Sequence, residues 1–305
     1  MVHGWIILDK PLELGSTQAV SAVKRNMREA GFNMKLKGGI KVGHGGTLDP
    51  LASGVLPIAL GEATKLTGRM LEADKTYAFT VRFGEETDTL DAEGTVIATS
   101  AVRPSREEIE AVLARFTGPI EQVPPAYSAL KVDGRRAYDL ARAGEEVTLA
   151  TRSVTIFDLK LERFDADEGA TLLASVSKGT YIRSLARDIA QALGSCGTVT
   201  MLRRIKAGPF DLSQAISLDK LNQIGKGAPL EQILLPLEAG LDDIPAIDLD
   251  PEQARAVRQG RVLTGLHLED GLHWAREHDI PVALVEITGG DARVVRGFNL
   301  TDVAE

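Results

Sequence analysis

The chain opens on an apolar run, Trp5-Ile6-Ile7-Leu8, followed by the polar pair Asp9-Lys10, and this pattern predicts a buried first strand. Ser16 stands where it could cap a helix, Ala19, Val20, Val23 and Met27 follow at helical spacing, and Gly31 is placed to end it. Residues 55–60 are continuously apolar and read as a buried strand, whereas 75–83 alternate like a half-exposed one, with Tyr77 near its beginning. Pro104 and Ser105 open a predicted helix over 104–116, with Glu107, Glu108 and Glu110 in its early turns. Further strands are expected at about 152–164, 170–177 and 199–206, with a helix running from Lys178-Gly179-Thr180-Tyr181-Ile182-Arg183 to about Leu193. Residues 211–245 are acidic, carry few strand signals and read as a helical linker. Beyond Ile247 come a short helix near 251–259 and strands at 282–288 and 292–298 about the turn Gly289-Gly290-Asp291. Hairpin-like neighbours mixed with helices predict an α+β fold rather than a strictly alternating parallel one.

Composition narrows the class. At 305 residues and 44% hydrophobic, the chain can bury a full core, divided into one large and one smaller domain. The one cysteine, Cys196, excludes an intrachain disulfide framework and a cysteine-rich zinc site, which suits a reducing cytosol. No apolar run approaches the roughly 20 residues of a membrane span, and the first residues lack the charged leader and long apolar stretch of a signal peptide. The net charge of -8 argues on its face against nucleic acid, but the charges segregate. Residues 1–70 hold nine Lys/Arg against five Asp/Glu, and 171–210 hold six against one, so two basic segments sit in an acidic chain and offer a track for an anionic ligand.

The candidate chemistry starts at Gly43-His44-Gly45-Gly46-Thr47-Leu48-Asp49-Pro50-Leu51-Ala52-Ser53-Gly54, where one carboxylate sits in an otherwise uncharged, glycine-rich loop. The glycines are expected to let a ligand approach the backbone, and Pro50 holds Asp49 out of the helical region. Asp49 is then a candidate nucleophile or base, although Asp-Pro alone is also a common turn starter. The loop fits neither the P-loop nor the dinucleotide fingerprint. His44 is either a core histidine or a flat side chain that stacks on a base. The acidic group from Asp88 to Gly94 lacks the essential carboxylates of a calcium loop and reads as a turn between strands. Residues 118–146 interleave Tyr127 and Tyr138 with Lys131, Arg135, Arg136 and Arg142, and read as a mobile basic excursion.

Together these blocks resemble the bacterial TruB-type tRNA pseudouridine synthases. The resemblance rests on Leu8-Asp9-Lys10-Pro11, on 43–54 with Leu56-Pro57, on Gly61-Glu62-Ala63-Thr64-Lys65, on Lys75-Thr76-Tyr77, and on Thr87-Asp88-Thr89 with Asp91. It continues through 124–131, 178–183 and Leu202-Arg203-Arg204. It implies a pseudouridine synthase fold, with a mixed, largely antiparallel central sheet flanked by helices and loops. The catalytic domain would span 1–240, with a thumb-like loop at about 124–147, and a small C-terminal β-rich, PUA-like domain would span 245–305.

By the same resemblance the reaction is isomerisation of uridine 55 in the T loop of tRNA after base flipping. Asp49 would be the catalytic carboxylate, aimed by Arg183. Tyr77 would stack on the base and take part in proton transfer, Leu202 and Tyr181 would line the pocket, and His44 would contact the T loop. Flipping costs a few kcal/mol, offset by aromatic stacking of roughly 1–3 kcal/mol per base. The family needs no cofactor and no metal. A cytoplasmic monomer acting on the T arm of tRNA, with no membrane and no obligatory protein partner, is the expectation. The alternative is a T-arm-binding tRNA folding protein with secondary or absent catalysis. A subunit guided by a separate RNA is disfavoured, because no basic tail or partner-binding extension is evident. Residues 246–305 hold six arginines against eleven acids, which argues against a strong role of the last domain in RNA binding.

Overall fold

The computed structural model describes residues 2–35, 38–132, 134–145 and 147–300; Lys37, positions 133 and 146 of the expected thumb-like loop and residues 301–305 lie outside them. Among the described residues, a nine-stranded sheet forms the centre. Its order is Gly4–Lys10, Ala52–Leu60, Gly197–Ala207, Lys75–Phe83, Gly169–Val176, Arg152–Asp165 and Gly118–Gln122. The short strands Val42–His44 and Phe210–Asp211 attach to Ala52–Leu60 and Gly197–Ala207 respectively. Each pairing is antiparallel except one, in which Leu202, Arg203 and Arg204 run parallel to Ala52, Ser53 and Gly54. The fold is thus α+β with a mixed, largely antiparallel sheet, as expected.

Burial explains the two strand patterns read from the sequence. Ala52–Leu60 is buried along nearly its whole length, so it is continuously apolar, while Lys75–Phe83 buries Phe79, Val81 and Phe83 and leaves Arg82 exposed. The helices Arg106–Leu113 and Ile182–Ala192 share one core with that strand, through Ile109, Val112, Leu185 and Ile189. The helix Ser16–Glu29 builds a second core, setting Ala19, Val23 and Met27 against Ile6, Leu8, Leu56 and Ile58. Each such side chain contributes about 1.5–3 kcal/mol by leaving water. Tyr77 and Leu202 pack against both cores, and the functional site lies at that junction.

Some elements differ from their expectation. Ser16 is not the helix cap; Gly15 takes that position, and the Ser16 hydroxyl bonds the backbone of Leu48 in the glycine-rich loop, accepting from its N–H at 2.8 Å and donating to its carbonyl at 3.0 Å. Residues 211–245 are not a linker. Only Leu218–Gly225 is α-helical, and Leu221, Ile224, Leu230, Leu237 and Leu241 are buried in the cores beside the first strand. The basic excursion begins with a sheet strand, Gly118–Gln122, and then carries a hairpin of Lys131–Val132 with Arg135–Arg136 and the helix Ala137–Arg142.

A four-stranded sheet of Ala246–Asp248, Gly271–Glu277, Ile280–Thr288 and Asp291–Gly297 follows, with the helix Pro251–Arg258 capped by Asp250. Trp274, Leu284 and Phe298 from this region share a core with Trp5, Met70 and Leu241. Lys65 donates to the carbonyl of Gly297, and the N–H of Asn299 donates to Glu62 at 2.6 Å. The small sheet is therefore seated on Gly61–Leu66 and the helix Thr67–Glu72. No helix among the described residues is long and apolar enough to cross a membrane.

Candidate active site

The loop that carries Asp49 is gripped along its length. Arg204, fully buried on the strand Gly197–Ala207, donates from Nη2 to the carbonyl of Gly46 (3.2 Å), from Nη1 to Thr47 (3.3 Å) and from Nε to Val55 (2.8 Å). Leu48 is tied to Ser16, and the Pro50 carbonyl accepts from the N–H of Glu13 (2.8 Å) and from Lys10 Nζ (3.4 Å). Two of the glycines also serve packing. A Cβ on Gly45 would lie 2.5 Å from Met70 Cβ, and one on Gly54, where φ is +104°, would land on the carbonyl oxygen of Arg204.

Arg183 sits in the first turn of Ile182–Ala192 and has only 6% of its side chain exposed. A cation at the positive end of a helix dipole is unfavourable in itself, and two carboxylates offset it. Asp49 Oδ2 lies 2.8 Å from Nη2, and Asp91 Oδ2 lies 3.3 Å from Nη1. Two backbone carbonyls complete the set: Thr89 accepts from Nη1 at 2.8 Å and Tyr127 from Nη2 at 3.1 Å. The planar fork is thereby held by two hydrogen bonds and two ion pairs from three chain segments. Asp49 itself is 42% exposed, so its carboxylate is aimed yet open to a ligand.

Asp49 and Arg183 stand between two clefts. The first, of about 330 Å³, is lined by Asp49, Tyr77, Tyr181, Arg183 and Leu202 together with Lys75, so it unites most of the residues singled out from the sequence. Its walls are set from outside: Gln122 bonds both the N–H (3.1 Å) and the carbonyl (3.3 Å) of Tyr181, and the Arg152 guanidinium lies 5.7 Å from the Tyr181 ring centre. Burial pushes the Tyr181 phenol up. The second cleft, of about 590 Å³, is lined by His44, Tyr127, Tyr138 and Arg142 and shares Asp49 and Arg183 with the first. His44 is thus near the site but outside the smaller cleft. Burial and the charge of Arg204 hold its imidazole below the usual range, so it is neutral at pH 7, and its buried Nδ1 has no hydrogen-bond partner among the described residues.

The floor of the site is cationic. Lys10 donates to the carbonyls of Leu14 (2.6 Å) and Pro11 (2.9 Å), and Lys75 to those of Leu71 (2.7 Å) and Ala73 (2.5 Å). Burial lowers the pKa of each to about 8. In the basic segment 171–210, by contrast, Arg183 and Arg204 are buried, Lys178, Arg187 and Arg203 are paired with Glu72, Asp188 and Asp9, and Lys206 is exposed. Exposed cations from the first segment, Lys24, Arg25, Arg28, Lys35 and Lys41, lie on and after the first helix.

This geometry coincides with a family match. Residues 32–182 match the model of the TruB family pseudouridylate synthase N-terminal domain, and 183–242 match that of the tRNA pseudouridylate synthase B C-terminal domain. A tRNA pseudouridine synthase B of Novosphingobium aromaticivorans is 70% identical, covering 100% of both chains. The chain belongs to the TruB family of pseudouridylate synthases. A tRNA pseudouridine synthase B of Zymomonas mobilis is 61% identical over 98% of this chain and 96% of its own. Among solved structures, a chain of a Cbf5-Nop10-Gar1 complex superposes with a TM-score of 0.73 at 25% identity, covering 97% of this chain and 84% of that one.

Within this TruB-family site, sequence reasoning gave no role to Asp91, Arg204, Gln122, Arg152 or Ser16. Their partners are remote: Arg204 and Val55 are 149 positions apart, and Gln122 and Tyr181 are 59 apart. The one available signal was that Asp91 and Arg204 stood in blocks that carried the resemblance.

Proposed function

We propose that this tRNA pseudouridine synthase acts on uridine 55 of the T loop, with Asp49 as the catalytic carboxylate. The observation that carries the reading is the Arg183-held Asp49 carboxylate at the edge of a cleft walled by Tyr77, Tyr181 and Leu202. The uridine leaves its stack and enters this cleft, Tyr77 and Leu202 packing on the base. The N1–C1′ bond breaks with Asp49 supporting the cleavage, the base turns, and C5 bonds to C1′. The proton on C5 is then lost and N1 takes one, so the isomerisation is balanced without a co-reactant; Tyr77, which lines the cleft, is assigned that proton transfer. His44 meets the T loop from the wider cleft. The exposed cations of residues 24–41 supply phosphate contacts. We assign catalysis to residues 1–240, with the thumb-like loop near 124–147 closing on the T arm, and a supporting role to 245–305. The enzyme works as a cytoplasmic monomer.

A tRNA transcript tritiated at uridine C5 tests this. Wild type is expected to release label from the intact transcript and to lose one equivalent of release when uridine 55 is replaced by cytidine. Unchanged release from the substituted transcript would place the reaction elsewhere. Binding without release would leave a T-arm-binding folding protein as the reading.

A further inference from the structure

Besides the carboxylates Arg183 has two backbone acceptors, and one of them, the carbonyl of Tyr127, lies 3.1 Å from Nη2. Nη2 is also the nitrogen that faces Asp49. The guanidinium is planar and rigid, so the N–H held by the Tyr127 carbonyl sets the orientation of the whole fork, including the edge it turns to Asp49. The position of the Tyr127 carbonyl therefore bears on the direction in which Arg183 holds Asp49.

The Tyr127 segment has its own brace. The phenol donates to Asp88 Oδ2 at 3.3 Å, and Asp88 Oδ1 accepts from the N–H of Thr95 at 2.8 Å, which roots it in its turn. Asp88 directly precedes Thr89, whose carbonyl holds Nη1 of Arg183 at 2.8 Å. One hydroxyl thus ties together the two segments that supply the two backbone acceptors of the guanidinium. Tyr127 opens the stretch that leads through Ser128 and Ala129 into the hairpin at 131–136, where Arg136 donates to the Ala129 carbonyl.

We infer that Tyr127 and Asp88 are positioning residues for the isomerisation: their side-chain contact fixes the separation of the Tyr127 and Thr89 carbonyls, and through them the plane of Arg183 and the aim of Asp49. The inference rests on the proposed synthase reading and deepens it. The phenol does not act on the substrate. Its loss is expected to change the rate of the chemical step by more than it changes tRNA affinity. A hydrogen bond of this kind changes a rate constant by about threefold to tenfold when removed.

The test is single-turnover tritium release at saturating enzyme, run beside tRNA affinity and thermal midpoint, for Tyr127→Phe, Asp88→Ala, Asp88→Asn and the double variant Tyr127→Phe/Asp88→Ala. Tyr127→Phe is expected to slow the step by about threefold to tenfold, with a smaller change in affinity. Asp88→Asn, which keeps a partner for the phenol, is expected to lose less than Asp88→Ala, and Tyr127→Phe to add nothing in the Asp88→Ala background. Three results would overturn the inference: a Tyr127→Phe rate equal to wild type, a loss confined to affinity, which would make the phenol an RNA contact, or a double variant in which the two losses multiply. Absence of release by wild type would instead overturn the synthase reading itself.

Discussion

The Asp91 carboxylate meets Arg183 at 3.3 Å, on the guanidinium nitrogen that does not face Asp49. Asp91 is nearly as buried as the arginine, with 10% of its side chain exposed against 6%. Truncating one partner of a buried pair costs more than the pair is worth, so Asp91→Ala is expected to lower stability by about 3 kcal/mol, read from urea denaturation. Arg183→Lys keeps the charge but cannot present four hydrogens in one plane; it is expected to lower the single-turnover rate by about 100-fold. A lysine variant close to wild type in rate would show that charge alone is sufficient.

Tyr77 serves two purposes that substitution separates. Tyr77→Phe keeps the stacking surface between the two cores and removes the hydroxyl, so the rate is expected to collapse while tRNA affinity holds. Tyr77→Ala also removes the stack, worth roughly 1–3 kcal/mol, and is expected to weaken binding by about 5-fold to 150-fold. Equal binding by the two variants would remove the stacking role.

Gly54 lies against the backbone of Arg204 in the parallel register, at a φ of +104°. Gly54→Ala is expected to force the strands Ala52–Leu60 and Gly197–Ala207 apart and to cost about 2–4 kcal/mol, with loss of activity because Arg204 holds the loop ahead of Asp49. Thermal denaturation with a rate assay checks this; a stable, active variant would contradict the packing role assigned to this glycine.

The buried lysines predict an alkaline rise in stability. Burial lowers Lys10 and Lys75 from 10.5 to about 8 in the folded chain. Below about pH 8 both folded and unfolded states carry the charge, and the cost of burying it is fully present. Between about 8 and 10.5 the unfolded state binds more protons, so unfolding becomes harder as pH rises. Burial raises the Tyr127 and Tyr181 phenols from 10.0, which opposes this only at higher pH. The urea midpoint is expected to be higher at pH 9.5 than at 7.5, and Lys75→Met is expected to reduce the gain. A fall in the wild-type midpoint over this interval would contradict the assignment.

Periodicity made the main strands and helices legible, because burial on one or both faces writes a pattern directly into neighbouring positions. It failed where the decisive partner was remote. Ser16 looked like a cap until Leu48 claimed its hydroxyl, and residues 211–245 looked like a linker because short turns packed into a core leave no regular period. Gly118–Gln122 begins with Gly-Pro, which disguises a strand, but it lies at the sheet edge where proline is tolerated. Charge counting located two basic segments yet could not show that the second spends its arginines on Asp49, Asp91, Asp9 and Asp188 and on the carbonyls around the loop. Asp49 itself was legible as the single acid of its loop, and Arg183 as its partner only through the family resemblance; the other groups that hold Arg183 were not legible.

The central claim is that Asp49 does the chemistry, and Asp49→Asn tests it most directly, since amide and carboxylate have nearly the same shape. Single-turnover tritium release from tRNA labelled at uridine C5 is expected to vanish in the variant while tRNA affinity stays within a few fold of wild type. Release at the wild-type rate by Asp49→Asn would contradict the account.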